Sequence, residues 1–275
     1  MPSLQVGASE VWVEGNSGPV ILMLHGWPDT HRLWDGTVEA LQNHYRCVRF
    51  TLPGFTTDAN GTAQAIALDA MVAHIAAIAD AVSPHQPVTL LLHDWGCIFG
   101  YEFAARHPDR VARVVGVDIG DHNSNAYLRS LNTSAKLQIV FYQVWLALAW
   151  QVGRWLSDGF ATRMTRWMAR AMRCPTPADA IHWSMNFPYA MAWMGVAGGL
   201  RHTAPVDLQC PTLYLYGEHK PFMFHSPQWL TQLNTHPPST TRGFATGHWV
   251  MLNQPAAFNT CVKDWLAASA STQQT

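Results

Sequence analysis

Val88-Thr89-Leu90-Leu91-Leu92-His93-Asp94-Trp95-Gly96-Cys97 is the stretch whose reading decides the fold. Its apolar run follows Pro84 and Pro87 and has the continuous character of a parallel strand buried on both faces. It ends in an acid, an indole and a glycine, and a helical pattern from Ile98 to Arg106 follows at once. A carboxylate on a sharp turn at the carboxyl end of a central strand stands where open α/β sheets hold their ligands.

Working outward, strand-like and helix-like segments alternate. Val11-Trp12-Val13 reads as an early edge strand. Val20 to Leu24 reads as a buried strand ending in His25-Gly26-Trp27-Pro28-Asp29-Thr30, with a helix near His31 to Asn43. Tyr45 to Phe50 is the next strand, and Leu68, Met71, Ile75, Ile78 and Val82 mark one face of an amphipathic helix. Val111 to Val117 is a further strand ending at Asp118. Such alternation predicts βαβ units and a mostly parallel central sheet flanked by helices.

The alternation stops at about Asn123. From there to Thr203 the pattern is helical, with six of the 13 tryptophans and six of the 11 methionines. Strand character returns at Pro211 to Tyr216, a loop leads to Thr246-Gly247-His248-Trp249, and a last helix spans Pro255 to Leu266. The expected organisation is an α/β core in two parts, 1–122 and 204–275, with a helical cap, 123–203, inserted between them. A cap over the strand ends would close an apolar pocket from water.

Composition narrows the partners. The chain has 275 residues, 48% hydrophobic and 13% charged, with a formal net charge of -1. No Lys/Arg block appears, which argues against nucleic acid or an anionic membrane as the main partner. Five cysteines without C-x-x-C spacing suit a reducing compartment. Met1 to Glu10 lacks the basic-then-apolar pattern of a signal peptide, so a cytoplasmic location is expected. Ile139 to Trp150 is apolar apart from Gln143, too short for a bilayer span, and reads as a buried helix. The polar tail from Ser269 is expected to be disordered. The oligomeric state is left open, a homodimer included.

Three motifs, His25-Gly26-Trp27-Pro28, His93-Asp94-Trp95-Gly96 and Gly247-His248-Trp249, resemble those of the α/β-hydrolase fold in its branch with an aspartate nucleophile. That branch contains epoxide hydrolases and haloalkane dehalogenases, and the resemblance covers nearly the whole chain, least well in the cap. Where many hydrolases carry the serine of G-x-S-x-G, this chain carries Asp94. A carboxylate is ionised at neutral pH and can attack an sp³ carbon without a base, leaving an alkyl ester for water to cleave. Leu92 departs from the small residue usual two places before the nucleophile.

The resemblance implies further roles. His248 would activate the water. Backbone N–H groups of Trp27 and Trp95 would form an oxyanion hole, and the indoles of Trp27, Trp95 and Trp249 would contact substrate. His25 and His93 would support the loops. The acid partner of His248 is ambiguous, because Gly217-Glu218-His219-Lys220 puts a lysine at the usual place. Asp118 is the leading candidate, with Asp121 and Glu218 as alternatives. Epoxide opening requires proton donors, for which Tyr142 and Tyr189 are the candidates and Tyr127 the reserve. A dehalogenase would use the same Asp and His with Trp95 as halide donor and, as second donor, an Asn after the His-Gly pair or a Trp in the cap; Trp27 occupies the Asn place, while six cap tryptophans keep that reading open. The expected substrate is a small apolar molecule together with water. No metal or organic cofactor is implied, since zinc-type clusters, G-x-G-x-x-G and P-loop patterns are all missing from the sequence.

Overall fold

A computed structural model describes residues 3–57, 63–200 and 202–271. In chain order the strands are β1 (Ser3–Val6), β2 (Ser9–Glu14), β3 (Val20–Leu24), β4 (Arg46–Phe50), β5 (Val88–His93), β6 (Val111–Val117), β7 (Thr212–Gly217) and β8 (Thr240–Phe244). The α-helices are α1 (Asp35–Leu41), α2 (Leu68–Val82), α3 (Trp95–Arg106), α4 (Asn125–Ser130), α5 (Thr133–Trp155), α6 (Asp158–Ala171), α7 (Phe187–Met194), α8 (Pro227–Asn234), α9 (Val250–Asn253) and α10 (Pro255–Ser271).

The strands form one sheet in the order β1-β2-β4-β3-β5-β6-β7-β8. β3 to β8 run parallel, and β1 and β2 are antiparallel additions. The period-two alternation of strand side chains sorts the core into two layers. Leu22, Leu24, Leu90 and Leu92 pack with α2, α3 and the helices inserted after β6. Ile21, Met23, Leu91 and Val115 pack with α1 and α10 on the other face. After β3 the chain steps outward to β4, then returns through α2 to β5 on the opposite side of β3. The carboxyl ends of β3 and β5 therefore flank a topological switch point, where a crevice opens. His25 to Asp29 and Asp94 sit there.

Four expectations need correction. β2 is not an edge strand, because β1 pairs outside it, Leu4 against Val11; β1 is too short to stand out in sequence. β8 was not foreseen, since Thr-Thr-Arg-Gly-Phe is an edge strand with little burial and no apolar run. Ile139 to Trp150 is a half-buried part of α5, with Leu148 exposed and Trp150 buried. The last helix extends through Ser271, so only 272–275 of the tail lie outside the described residues. Between β6 and β7 the described chain holds helices and no strand. Among the described residues no helix is long and apolar enough to cross a membrane.

Candidate active site

Asp94 occupies the turn between β5 and α3 with φ 51° and ψ -123°, a conformation that a non-glycine residue adopts only when its surroundings enforce it. The turn drives the carboxylate out of the sheet end and toward the β3 loop. Gly26 permits that approach: a Cβ there would come within 2.5 Å of both Asp94 Oδ1 and the Trp95 nitrogen. The Trp27 backbone N–H donates to Asp94 Oδ1 at 2.7 Å. The other oxygen, Oδ2, lies 3.5 Å from His248 Nε2.

Behind His248 stands Asp118, at the end of β6 and fully buried, also with positive φ, 69°. His248 Nδ1 hydrogen-bonds Asp118 Oδ2. Asp118 Oδ1 accepts the Gly217 N–H at 2.9 Å and the Lys220 ammonium. The sequence misfit at Lys220 thus has a structural account: the lysine forms an ion pair with the acid that faces the histidine. Asp121 is committed elsewhere, accepting the Ser226 N–H and Oγ–H at 2.7 Å each and the Ser124 hydroxyl. Glu218 is exposed beside Gly243. Neither hydrogen-bonds or ion-pairs with His248, so Asp118 is the acid that the structure brings to the histidine.

The charges are strongly coupled. Burial pushes the Asp94 carboxyl up, but the hydrogen bond and charge of His248, with the Trp27 N–H, outweigh it and hold the group below the usual carboxylate range. Burial likewise opposes ionised Asp118, and the Lys220 and His248 charges overcome it, lowering that carboxyl too. Burial alone would lower His248; Asp118 and then Asp94 instead raise it to about 9. The resting arrangement is therefore an alternating line of charge, Asp94, His248, Asp118, Lys220.

His25 and His93 play a different part. His25 Nε2 accepts the Leu52 N–H at 2.9 Å, while its Nδ1 meets the Gly26 carbonyl at 3.0 Å. His93 Nε2 meets the His248 carbonyl at 3.3 Å. Burial pushes each down to about 3, so both are neutral props of the loops.

A cavity of about 350 Å³ opens onto Asp94 and Trp95 and is lined by Tyr127, Tyr142, Tyr189 and Phe224, among others. Tyr189 packs edge-on to Trp95 and to Trp27, with centroids 5.2 and 5.9 Å apart, and Tyr142 packs edge-on to Tyr189. Burial raises both phenol pKa values, and the Asp94 charge raises them further, which keeps both hydroxyls protonated donors. Burial also raises Tyr127, with Asp121 rather than Asp94 as its charged neighbour.

Two of the expected substrate contacts differ. The Trp249 indole is buried in the opposite core layer and donates to Asp29 Oδ2 at 2.9 Å, so it does not line the cavity. Trp27 is also buried, its indole donating to Asn186 Oδ1 at 2.7 Å. Asn186 in turn donates to Thr165 on α6 at 2.7 Å, tying the β3 loop to the inserted helices. Asp29 was missed in sequence despite lying in the His25 turn. It joins that turn to Thr176 and Trp249, and burial lifts its carboxyl to about 6. Lys220, Asn186 and Asp29 are legible only as polar residues beside motifs. Among the described residues no group of three His, Cys, Asp or Glu side chains is arranged to hold a metal.

Comparison with known proteins bears on the fold of the chain. The model of a family described as alpha/beta hydrolase fold matches residues 19–255. "Probable oxidoreductase EphD" of Mycobacterium tuberculosis is 40% identical over 114 residues, 39% of this chain and 19% of that protein. "Epoxide hydrolase B" of the same organism is 31% identical over 104 residues, 37% of this chain and 29% of that protein. The chain thus spans less than a third of the length of either relative. An epoxide hydrolase of Bacillus megaterium, solved with an inhibitor, superposes with a TM-score of 0.71 over 97% of this chain and all of that one at 20% identity, a likeness of fold.

Proposed function

This chain belongs to the alpha/beta hydrolase fold family, and on that footing we propose that it hydrolyses small apolar epoxides to vicinal diols. The observation that carries the reading is the pair of protonated phenols, Tyr142 and Tyr189, in the cavity that holds an ionised Asp94. An epoxide opened by a carboxylate develops an alkoxide, and two buried neutral donors in the same cavity meet that demand.

In the proposed sequence an Asp94 oxygen attacks a ring carbon, the C–O bond breaks, and the epoxide oxygen takes a phenolic proton. The product is a hydroxyalkyl ester on Asp94. Ester formation removes the Asp94 charge, one of the influences that raise His248, so the imidazole releases its proton more readily once the ester exists. Neutral His248, oriented by Asp118, then takes a proton from water as the oxygen of that water adds to the ester carbonyl. The Trp27 N–H already sits on Asp94 Oδ1 at 2.7 Å and would receive the developing oxyanion, with the Trp95 N–H as second donor. The proton that His248 releases on ester formation restores the phenol; collapse breaks the ester C–O bond, the departing diol oxygen takes the second proton of the added water, and Asp94 and His248 return to their resting charges.

Dehalogenation would use the same Asp and His. It is disfavoured because the Trp27 indole N–H is engaged by Asn186 and that of Trp193, the tryptophan of the inserted helices that lines the cavity, by Gln143, which leaves Trp95 without either partner for a halide. The test is the intact mass of His248→Gln protein after incubation with styrene oxide, followed by peptide mapping. Ring opening should proceed and ester cleavage stall, adding the mass of the epoxide to the peptide that contains Asp94. An unmodified protein, with halide released from bromoalkanes by the parent enzyme, would replace this reading with the dehalogenase one.

A further inference from the structure

All but one of the large hydrophobic side chains that the described chain leaves exposed lie between Leu128 and Met194, in the inserted helices. They form one field. On α5, Leu137, Phe141, Leu148 and Trp155 recur at spacings of four and seven residues, which aligns them along one helix face; Leu137 is 65% exposed, Phe141 57% and Trp155 71%. On α6, Phe160 and Trp167 are exposed at the same spacing of seven. Phe141 contacts Trp145, and Trp145 contacts Trp167 with ring centroids 5.0 Å apart, which joins the two faces. On the other flank α7 adds Trp193, bonded to Gln143, and Met194, bonded to Gln151.

The field is cationic. Residues 123–203 carry eight Arg and Lys against two Asp, although the chain as a whole is -1. Arg163 and Arg170 fall at helical spacing on the exposed face of α6 that bears Phe160 and Trp167, and Arg154 lies over the Trp155 ring. Aromatic side chains interleaved with arginine on helices that cannot span a bilayer are the composition of an interfacial surface. A second copy of the chain fits poorly. A two-fold contact would bring this face against itself, opposing its arginines with too few acids to neutralise them.

Against the expectation drawn from the lack of a Lys/Arg run, because helical spacing gathers these arginines on one face, we propose that the exposed face of α5, α6 and α7 docks on an anionic lipid surface. Val140 and Trp193, exposed in the same field, also line the cavity that holds Asp94. Docking would therefore turn the cavity toward lipid, where an apolar substrate partitions. The source of substrate rests on the epoxide reading; the docking does not.

The test is co-sedimentation of the full chain with vesicles of phosphatidylcholine alone or with an equal share of phosphatidylglycerol, at low and high salt. Expected is binding to the anionic vesicles that salt weakens. Arg163→Gln/Arg170→Gln should partition about thirtyfold more weakly, and Trp155→Ser/Trp167→Ser should lose binding, with unchanged circular dichroism in both. Wild-type protein left in the supernatant with anionic vesicles would overturn the proposal. So would self-association without lipid that the tryptophan variant abolishes, which would assign the face to a second copy. Sedimentation is read without turnover, so a failed epoxide assay and a failed docking are separate results.

Discussion

Lys220 shows how one side chain can set the working range of another. Its ammonium pairs with Asp118 and offsets part of the charge through which Asp118 holds the proton of His248. On the proposed chemistry, ester cleavage requires neutral His248 and ring opening requires ionised Asp94, whose carboxyl is already held low. The ester should therefore accumulate as the pH falls below the pKa that His248 has in the ester form, which is lower than its resting value of about 9. Acid quench and mass measurement during turnover would show this as an ester fraction that rises toward acid pH; a flat profile would remove His248 as the base. Replacing Lys220 by Met strengthens the pull of Asp118 on the imidazolium. The acid limb should then shift to higher pH with the ring-opening rate unchanged, and Lys220→Arg should restore it. A merely structural lysine would lower both steps together.

At the scale of elements, the β5–α3 turn reveals why a bulky Leu92 is tolerated two residues before Asp94. Gly100 on α3 leaves the space: a Cβ there would lie 2.5 Å from Leu92 Cδ2 and 3.1 Å from its Cγ. A glycine in a helix interior normally costs up to about 1 kcal/mol relative to alanine, so Gly100→Ala would stabilise an isolated helix. Here overpacking of about 1–3 kcal/mol opposes that gain. The variant should lose about 1 kcal/mol in urea unfolding, and Leu92→Ala/Gly100→Ala should lose less than the sum of its two parts. Strict additivity would mean that the contact does not matter. The same two elements also explain the strained φ of Asp94, since a relaxed backbone would swing the carboxylate away from the Trp27 N–H.

For the whole molecule, stability should depend on pH through its buried histidines. His25 and His93 are pushed down to about 3, whereas an unfolded histidine titrates near its model value of 6.5. Between those values the unfolded chain takes up protons that the fold refuses, so the two groups make stability fall as pH is lowered from about 6.5. His248 acts in the opposite sense. Its pKa is raised, so its contribution is complete below 6.5 and is lost as pH rises through about 9. Asp29, raised to about 6, adds stability at acid pH that is lost as pH rises through that value, and so opposes the two histidines in part. Calorimetric Tm should peak near neutrality and decline on both sides, with a smaller alkaline decline in His248→Gln. A Tm constant from neutral pH down to the acid range would contradict the buried neutral histidines.

The sequence by itself determined the parallel sheet, because fully buried strands must be continuous apolar runs and strand ends must turn through Gly, Pro and Asp. It also determined which turns bear Asp94 and Asp118, since each stands where such a run stops; His248 follows a strand with no apolar run and was legible only through the resemblance of Gly247-His248-Trp249. Proximity could not be read that way. Asp118, Asp121 and Glu218 all follow strands, and only the tertiary structure decided that Asp118 meets His248 while Asp121 clasps Ser226. The same holds for Trp249, which is one residue from His248 yet faces the opposite core layer, because consecutive side chains leave the backbone in different directions. Exposure is likewise a property of packing. The aromatic wealth of 123–203 reads as interior when counted along the chain, and only the mutual packing of α5, α6 and α7 leaves part of it facing outward among arginines.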